Sequence, residues 1–387
     1  MKIIAGLLLL STIAQAEVPA NTGELLYQIK PAFQKSGQTD YIRVHRPRVN
    51  SDLDEIKQKM IDSGRFTFVD YNTIESHDVD LESEEAQKLK VDDPKFQRQW
   101  QHEKVETLKA WDTTRGDNSI LVGVCDSGVE RLHEDLKGRV LTKGYDFIDL
   151  DTDANPVTSH GTFVAGLIAA TASNTLGGAG VSPNVKILPL RITNSKGITS
   201  MKIITDCIKF AADAGARVIN VSFTGIQNRS VEAAGRYARS RGALLVYSAG
   251  NQGINRSKWP DHRNVVAVGA TNINDQRWTY RTEDSSGGSN YGPFIDLVAP
   301  GHNVYSTTTY VTHNQGSHPY RSGSGTSYSA PIVAGIAALI YSINPNLSAS
   351  EVERILKNSA DQIGNQYTFG AGRVNAYQAV QMAIQTL

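Results

Sequence analysis

Gly325-Thr326-Ser327-Tyr328-Ser329-Ala330-Pro331 places one serine among small residues at the start of a long apolar run. Two more glycine-containing stretches lie upstream, Cys125-Asp126-Ser127-Gly128 and His160-Gly161-Thr162-Phe163-Val164-Ala165-Gly166. Their Asp, His and Ser are too far apart in the chain to share one local element, so only a large fold can bring them together. Asp, then His, then Ser is one of the orders in which the residues of a hydrolytic catalytic triad occur along a sequence.

The chemistry of a triad explains why these three residue types would act together. A serine hydroxyl is a weak nucleophile at neutral pH and needs a neighbouring base, for which His160 is the candidate. Asp126 would accept a hydrogen bond from the imidazole, fix its tautomer and stabilise the imidazolium. The sequence therefore predicts Ser327 as nucleophile, His160 as base and Asp126 as the residue that orients the base.

Apolar strand-like runs alternate with helical ones in the region that holds the three stretches. This alternation predicts an α/β fold of three layers, a parallel sheet with helices on both faces. The strands are nearly continuous in Val, Ile and Leu, as expected when both faces of a sheet are covered. A helix over 332–340 is predicted to begin after Pro331, with its N-terminus towards Ser327.

The three stretches, together with Val298-Ala299-Pro300-Gly301 and Gly370-Ala371-Gly372-Arg373-Val374-Asn375-Ala376, resemble the blocks of the subtilase family. The resemblance covers about Asp93 to Val380 and is nearest to thermitase-like members. It implies a subtilisin-like fold, serine endopeptidase activity and the triad Asp126, His160 and Ser327. Tyr247-Ser248-Ala249-Gly250-Asn251 is similar to the oxyanion-hole motif, which implies that Asn251 donates to the oxyanion.

The segment Val218 to Gly225 resembles the family segment that pairs with an extended peptide and forms one wall of the primary side-chain pocket. This chain has Ser222-Phe223-Thr224 where the family usually has Ser-Leu-Gly, a difference that is expected to narrow that wall or to restrict the approach of the substrate. The residues expected to line the pocket are Ser222, Ala249 and Gly250.

The metal prediction also depends on the resemblance. The sequence has no HExxH motif or CxxC pair, so no catalytic metal is expected. By position, Asp93, Asp135 and Asn174 match the ligands of a structural calcium site in thermitase-like subtilases. A hard cation prefers six to eight oxygens, and a glycine-containing loop supplies backbone carbonyls, here those of Thr171, Leu176 and Gly178.

The N-terminal region has the pattern of a secreted precursor. A basic start, a short apolar run and Ala14-Gln15-Ala16 predict a signal peptide over 1–16. Residues 17–90 form a small α/β unit, which by resemblance is an inhibitor-type propeptide that assists folding and blocks the site. Its exposed junction is placed at 78–90, and the peptidase domain is assigned to 91–387. The apolar runs are too short for a membrane-embedded protein.

Composition narrows the possible partners. Lys plus Arg and Asp plus Glu both number 39, so the net charge gives no reason to expect nucleic acid or an anionic membrane. Polypeptide substrates and the propeptide are the expected partners, and a monomer is expected. Two cysteines permit at most one disulfide. Sequence does not supply the geometry of a bridge, so Cys125 and Cys207 are interpreted as two buried apolar side chains.

The leading hypothesis is a secreted, self-processing serine endopeptidase, extracellular or periplasmic. One alternative is a kexin-like processing protease of narrow specificity, which the lack of a β-sandwich domain after Val380 and of a multibasic junction disfavours. A second alternative is a pseudoprotease that only binds, which the presence of all four catalytic candidates disfavours.

Overall fold

The computed structural model describes residues 20–29, 43–45, 58–60, 62–63, 66–74, 91–282, 285–309 and 319–387. The chain divides into two compact units, residues 1–81 and 82–387. This division falls shortly before the predicted domain boundary at residues 90 and 91. The predicted signal peptide and the predicted junction at 78–90 lie outside the described residues.

The described part of the first unit is an antiparallel sheet. Its strands are β1 (Ala20–Ile29), β2 (Arg43–His45) and β3 (Phe66–Ile74), in the spatial order β2-β1-β3. The register places Leu26 opposite both Val44 and Asp70. The described residues of the predicted α/β unit over 17–90 are thus these strands and a few helical residues at 58–60 and 62.

The second unit is built on a parallel sheet of seven strands, which confirms the predicted α/β fold. The spatial order is β12-β9-β8-β7-β4-β6-β5, and every neighbouring pair is parallel. The strands are β4 (Leu121–Asp126), β5 (Tyr145–Asp146), β6 (Lys186–Arg191), β7 (Val218–Val221), β8 (Leu244–Ser248), β9 (Val266–Thr271) and β12 (Leu297–Pro300). Two hairpins pair β10 (Thr279–Arg281) with β11 (Ser286–Gly288) and β13 (Val304–Thr307) with β14 (Tyr320–Gly323).

Helices cover both faces of this sheet. They are α1 (Trp100–Lys104), α2 (Thr107–Trp111), α3 (His160–Ala169), α4 (Met201–Asp213), α5 (Arg229–Ser240), α6 (Thr326–Ile343), α7 (Ala349–Asn358), α8 (Gln366–Phe369) and α9 (Ala376–Ile384). Successive strand side chains alternate between the faces. Val122 and Val124 pack in the cluster that contains α3 and α6, and Ile219 and Val221 in the cluster that contains α4 and α5.

Helix α6 runs through the centre of the fold. It is apolar and long enough to cross a membrane by length and composition, but 83% of that window is buried inside the protein, as in a core helix. The helix begins at Thr326 rather than after Pro331, so the predicted start was wrong. Ser327 therefore lies in the first turn of α6 and Pro331 lies within the helix.

The two cysteines form a disulfide, so their interpretation as separate apolar side chains was wrong. Cys125 on β4 is bonded to Cys207 on α4, with a Cα–Cα distance of 6.2 Å. The residues are 82 positions apart in the chain. They meet because α4 crosses back over the sheet and packs on the face of β4 that Cys125 occupies.

Candidate active site

Asp126 and His160 form a hydrogen-bonded pair at the carboxyl end of β4. Asp126 is the last residue of the strand and is fully buried, and His160 is the first residue of α3. The Nδ1 atom of His160 lies 2.8 Å from Oδ1 and 3.0 Å from Oδ2 of Asp126. A carboxylate accepts hydrogen bonds, so Nδ1 carries the imidazole proton and Nε2 keeps its lone pair. The imidazole is thus oriented as a general base.

The close approach of α3 to β4 requires the glycine after His160. A Cβ atom at Gly161 would overlap the backbone oxygen of Gly128, in the turn that follows β4. The N–H of Gly161 also donates to Ser127 Oγ at 3.0 Å. The first turn of α3 is therefore seated directly on the residues that follow Asp126, which explains why glycine follows the histidine.

Ser327 approaches this pair from the first turn of α6. The ring of its neighbour Tyr328 lies 5.5 Å from the His160 ring, and Phe223 faces the same imidazole at 6.1 Å. The His160 side chain remains 27% exposed, which leaves it accessible to a substrate. Among the described residues no hydrogen bond joins Ser327 Oγ to His160, and such bonds often tighten only when substrate binds.

Asn251 lies directly after β8 and is held in one orientation by Thr326. Its Oδ1 atom accepts the Thr326 N–H at 2.9 Å and the Thr326 hydroxyl at 2.8 Å. Because Oδ1 faces these two donors, Nδ2 is the other end of the amide, and it has no hydrogen-bond acceptor among the residues that the structure describes. Nδ2 would lie 3.4 Å from a Cβ atom placed on Gly325, so it borders the backbone that leads to Ser327.

Sequence reasoning missed the role of Thr326 in positioning Asn251. Its hydroxyl also accepts the N–H of Gly250 at 3.0 Å, so one side chain links β8 to the start of α6. The available signal was a hydroxyl-bearing residue directly before the serine, which the sequence pattern presents only as one of the small residues around Ser327.

The predicted pocket residues occupy two different places. Ala249 and Gly250 line a cavity of about 420 Å³ next to Asn251. Ser222 instead donates a hydrogen bond to the backbone oxygen of Ser327 at 2.8 Å. Thr224 lines the cavity, whereas Phe223 faces His160. The unusual Phe223 therefore borders the base.

A family model described as the subtilase family matches residues 117–372. This chain belongs to the subtilase family. A thermophilic serine proteinase of Bacillus sp. (strain AK1) is 40% identical to this subtilase over 274 residues, which are 70% of this chain and 64% of that protein. Thermitase of Thermoactinomyces vulgaris is 37% identical over 293 residues, which are 75% of this chain and 98% of thermitase.

Solved structures agree with this assignment. A protease of Pseudoalteromonas arctica superimposes on this subtilase with a TM-score of 0.66 and 30% identity, covering 76% of this chain and 99% of that chain. The matched domain is a subtilisin-like domain of the serine endopeptidase class. These relatives favour a subtilisin-type serine endopeptidase over a kexin-like processing protease.

Away from the active site, the subtilase gathers the two carboxylates predicted to bind a cation. Asp93 and Asp135 are both buried, and among the described residues neither forms an ion pair. Burial raises the pKa of Asp135 to about 7, and the negative charge of Asp93 adds to this rise. Burial also raises the pKa of Asp93, with a further contribution from the charge of Asp92. The two buried carboxylates therefore have no positively charged partner among the described residues, and a bound cation would supply that charge.

The loop over residues 171–178 wraps around these carboxylates. Asp93 accepts the N–H groups of Ser173 and Asn174 at 2.7 and 2.9 Å, and Asp135 accepts the N–H of Gly178 at 3.2 Å. Among the described residues, no hydrogen bond reaches the carbonyl oxygens of Thr171, Leu176 or Gly178.

Asn174 is hydrogen-bonded through both ends of its side-chain amide. Its Oδ1 accepts the N–H of Leu176 at 2.9 Å, and its Nδ2 donates to Asp135 at 2.8 Å. Across the described parts of the chain, no group of three or more His, Cys, Asp or Glu is placed to hold a metal ion. A cation here would therefore depend on two carboxylates together with carbonyl oxygens, a donor set that suits calcium.

Proposed function

We propose that this subtilase is a secreted serine endopeptidase that cleaves polypeptides through an acyl-enzyme on Ser327. The observation that carries the proposal is the oriented pair of His160 and buried Asp126, next to an Asn251 amide whose Nδ2 is free. A base with a free lone pair and a preoriented donor beside one serine are the parts that acyl transfer needs.

The proposed reaction begins when Ser327 Oγ attacks the carbonyl carbon of the scissile bond and His160 Nε2 takes the hydroxyl proton. The charge that develops on the carbonyl oxygen is stabilised by Nδ2 of Asn251 and by the N–H of Ser327, which lies in the first turn of α6 and has no acceptor within the helix. The imidazolium then protonates the leaving amine. Water hydrolyses the resulting ester by the reverse proton transfers.

A structural calcium ion belongs to the same proposal. Asp93, Asp135 and the carbonyl oxygens of Thr171, Leu176 and Gly178 would hold it, with Asn174 beside them. This assignment is supported by the two buried carboxylates, which form no ion pair among the described residues, and by the three carbonyl oxygens, which accept no hydrogen bond there. When bound, the ion would neutralise the carboxylates and tie the 171–178 loop to Asp93, which precedes α1 in the chain. Its role is stability, since these residues are separate from the triad.

Secretion and maturation complete the proposal. Residues 1–16 would direct export to the periplasm or the medium, and residues 17–90 would act as folding assistant and inhibitor until cleavage. We propose that the enzyme makes this cut itself and then acts as a monomer.

Expression of wild type, Ser327→Ala and Ser195→Ala tests the proposal. Ser195 lies on an exposed loop, so its variant controls for the loss of a hydroxyl. A fluorophosphonate probe should label wild type and Ser195→Ala at Ser327, and only these two should lose the propeptide and hydrolyse casein. Equal hydrolysis by Ser327→Ala would exclude Ser327 as the nucleophile. Equal maturation of all three would assign the processing to another protease.

A further inference from the structure

The cavity beside Asn251 contains one charged side chain. Its walls are formed by residues 199–201 at the start of α4, by residues 224–228 after β7, and by residues 248–250 at the end of β8. Ile204, Gln252, Arg256 and Trp259 complete the lining. The N–H of Gly250 on this wall is bonded to Thr326, the neighbour of Ser327. The cavity is thus placed to receive a substrate side chain close to the reacting bond.

Arg256 is the cationic residue of this lining, and no acidic residue occurs among the described residues around the cavity. Its guanidinium lies over the indole ring of Trp259, with the carbon 4.5 Å from the ring centroid. Its Nε atom is buried and has no hydrogen-bond partner. No carboxylate of the described residues forms an ion pair with Arg256, in contrast to Arg191 and Arg373, which are each paired with two aspartates.

The start of helix α4 adds a positive electrostatic potential to that of Arg256. Thr199, Ser200 and Met201 line the cavity at the N-terminal end of a 13-residue helix. The positive end of the helix dipole therefore faces the space beside Arg256. The remaining polar groups of the lining are neutral hydroxyls and amides, which do not offset either contribution.

We propose that this pocket selects an acidic side chain, glutamate above all, at the residue on the amino side of the cleaved bond. This inference rests on the proposed endopeptidase function. A carboxylate in the cavity would neutralise the charge of Arg256 and accept hydrogen bonds from its guanidinium. Both groups in such a hydrogen bond carry a charge, which strengthens it. Glutamine has the same shape but offers only a neutral carbonyl. The pocket therefore discriminates by charge between two side chains of equal size.

The test compares kcat/KM for three peptides that differ only at that residue, which is Glu, Gln or Phe. For wild type we expect the Glu:Gln ratio to be about tenfold, the discrimination that one charge-assisted hydrogen bond supports. The ratio should fall as sodium chloride is raised, because salt screens the charge. Arg256→Gln should reduce it to about one, and Arg256→Lys should give an intermediate value. Arg354→Gln, which removes an exposed arginine on α7, should keep the wild-type ratio.

The outcomes separate this inference from the proposed function. Hydrolysis of the Phe peptide by wild type, with a Glu:Gln ratio of one or less, would overturn acidic selection and leave the endopeptidase function intact. A high ratio that survives in Arg256→Gln would also overturn it, because the preference would then arise elsewhere. Failure of wild type to cleave all three peptides and casein would contradict the proposed function itself, and the inference with it.

Discussion

Ser222 Oγ donates a hydrogen bond of 2.8 Å to the backbone carbonyl oxygen of Ser327. In an uninterrupted helix that carbonyl would accept the N–H four residues later. Here the residue four positions on is Pro331, which has no N–H. The loop after β7 thus supplies the donor that the proline removes, and this contact fixes the backbone of the proposed nucleophile.

Ser222→Ala should destabilise the protein by about 1–3 kcal/mol, because it leaves the Ser327 carbonyl without a partner. The measurement is denaturant unfolding in a Ser327→Ala background, which prevents self-digestion. Ser195→Ala, on an exposed loop, should change stability by much less.

A double-mutant cycle tests the reason for that loss. Pro331→Ala restores an N–H that can reach the Ser327 carbonyl, so the cost of Ser222→Ala should be smaller in the Pro331→Ala background. Equal costs in both backgrounds would show that Ser222 acts through some other contact.

Asn251→Leu should lower kcat about 100- to 1,000-fold with little change in KM, because the donor acts on charge that develops in the transition state. The variant should still fold, with a modest loss of unfolding free energy, because the Thr326 N–H and hydroxyl lose the Asn251 Oδ1 acceptor.

Thr326→Val should also lower kcat, but less, since it removes only the hydroxyl that orients Asn251. Thr326→Ser keeps that hydroxyl and should recover most of the loss. In the Asn251→Leu background Thr326→Val should add little. A full additional loss there would mean that Thr326 acts independently of Asn251.

Removal of the disulfide should lower stability more than activity. The double variant Cys125→Ala, Cys207→Ala opens a long loop and should lose roughly 2–4 kcal/mol of unfolding free energy. Its kcat/KM well below the melting temperature should match that of wild type, because the bridge lies on the face of the sheet that packs against α4. Thiol alkylation without reductant should label neither cysteine of the wild type.

Chelation of calcium should lower the melting temperature by several degrees and leave the initial rate nearly unchanged, because the proposed ligands are separate from the triad. Asp135→Asn keeps the shape of the side chain but removes a buried negative charge, so its melting temperature should no longer respond to calcium. Asp261→Asn, at an exposed position, should retain the response. If neither calcium nor a chelator changes the melting temperature of the wild type, the calcium proposal is wrong.

The sequence was sufficient to predict the α/β class and the residues of the candidate triad. Strand signals are local, since runs of Val, Ile and Leu specify β4, β7 and β8 without reference to the rest of the chain. Asp126 ends β4, Asn251 follows the end of β8, and His160 begins helix α3. Parallel strands bring their carboxyl ends to one side of the sheet, so residues at those ends could be expected to meet.

The helix start at Thr326 could not be predicted in the same way. A proline normally indicates the first turn of a helix, and this signal placed the helix too late. The earlier start depends on Ser222, which lies far away in the chain and replaces the hydrogen bond that Pro331 cannot make.

What the sequence by itself determined was therefore the identity of the elements and the type of chemistry at their ends. Only the tertiary structure decided which groups become partners across the fold. The packing of helices and loops on the sheet determines three features of this site and its surroundings. They are the Cys125–Cys207 bridge, the hydrogen bonds from Thr326 to Asn251 and the position of Arg256 in the cavity. Such contacts follow from distance and orientation between segments remote in the chain, and local sequence patterns do not encode these quantities.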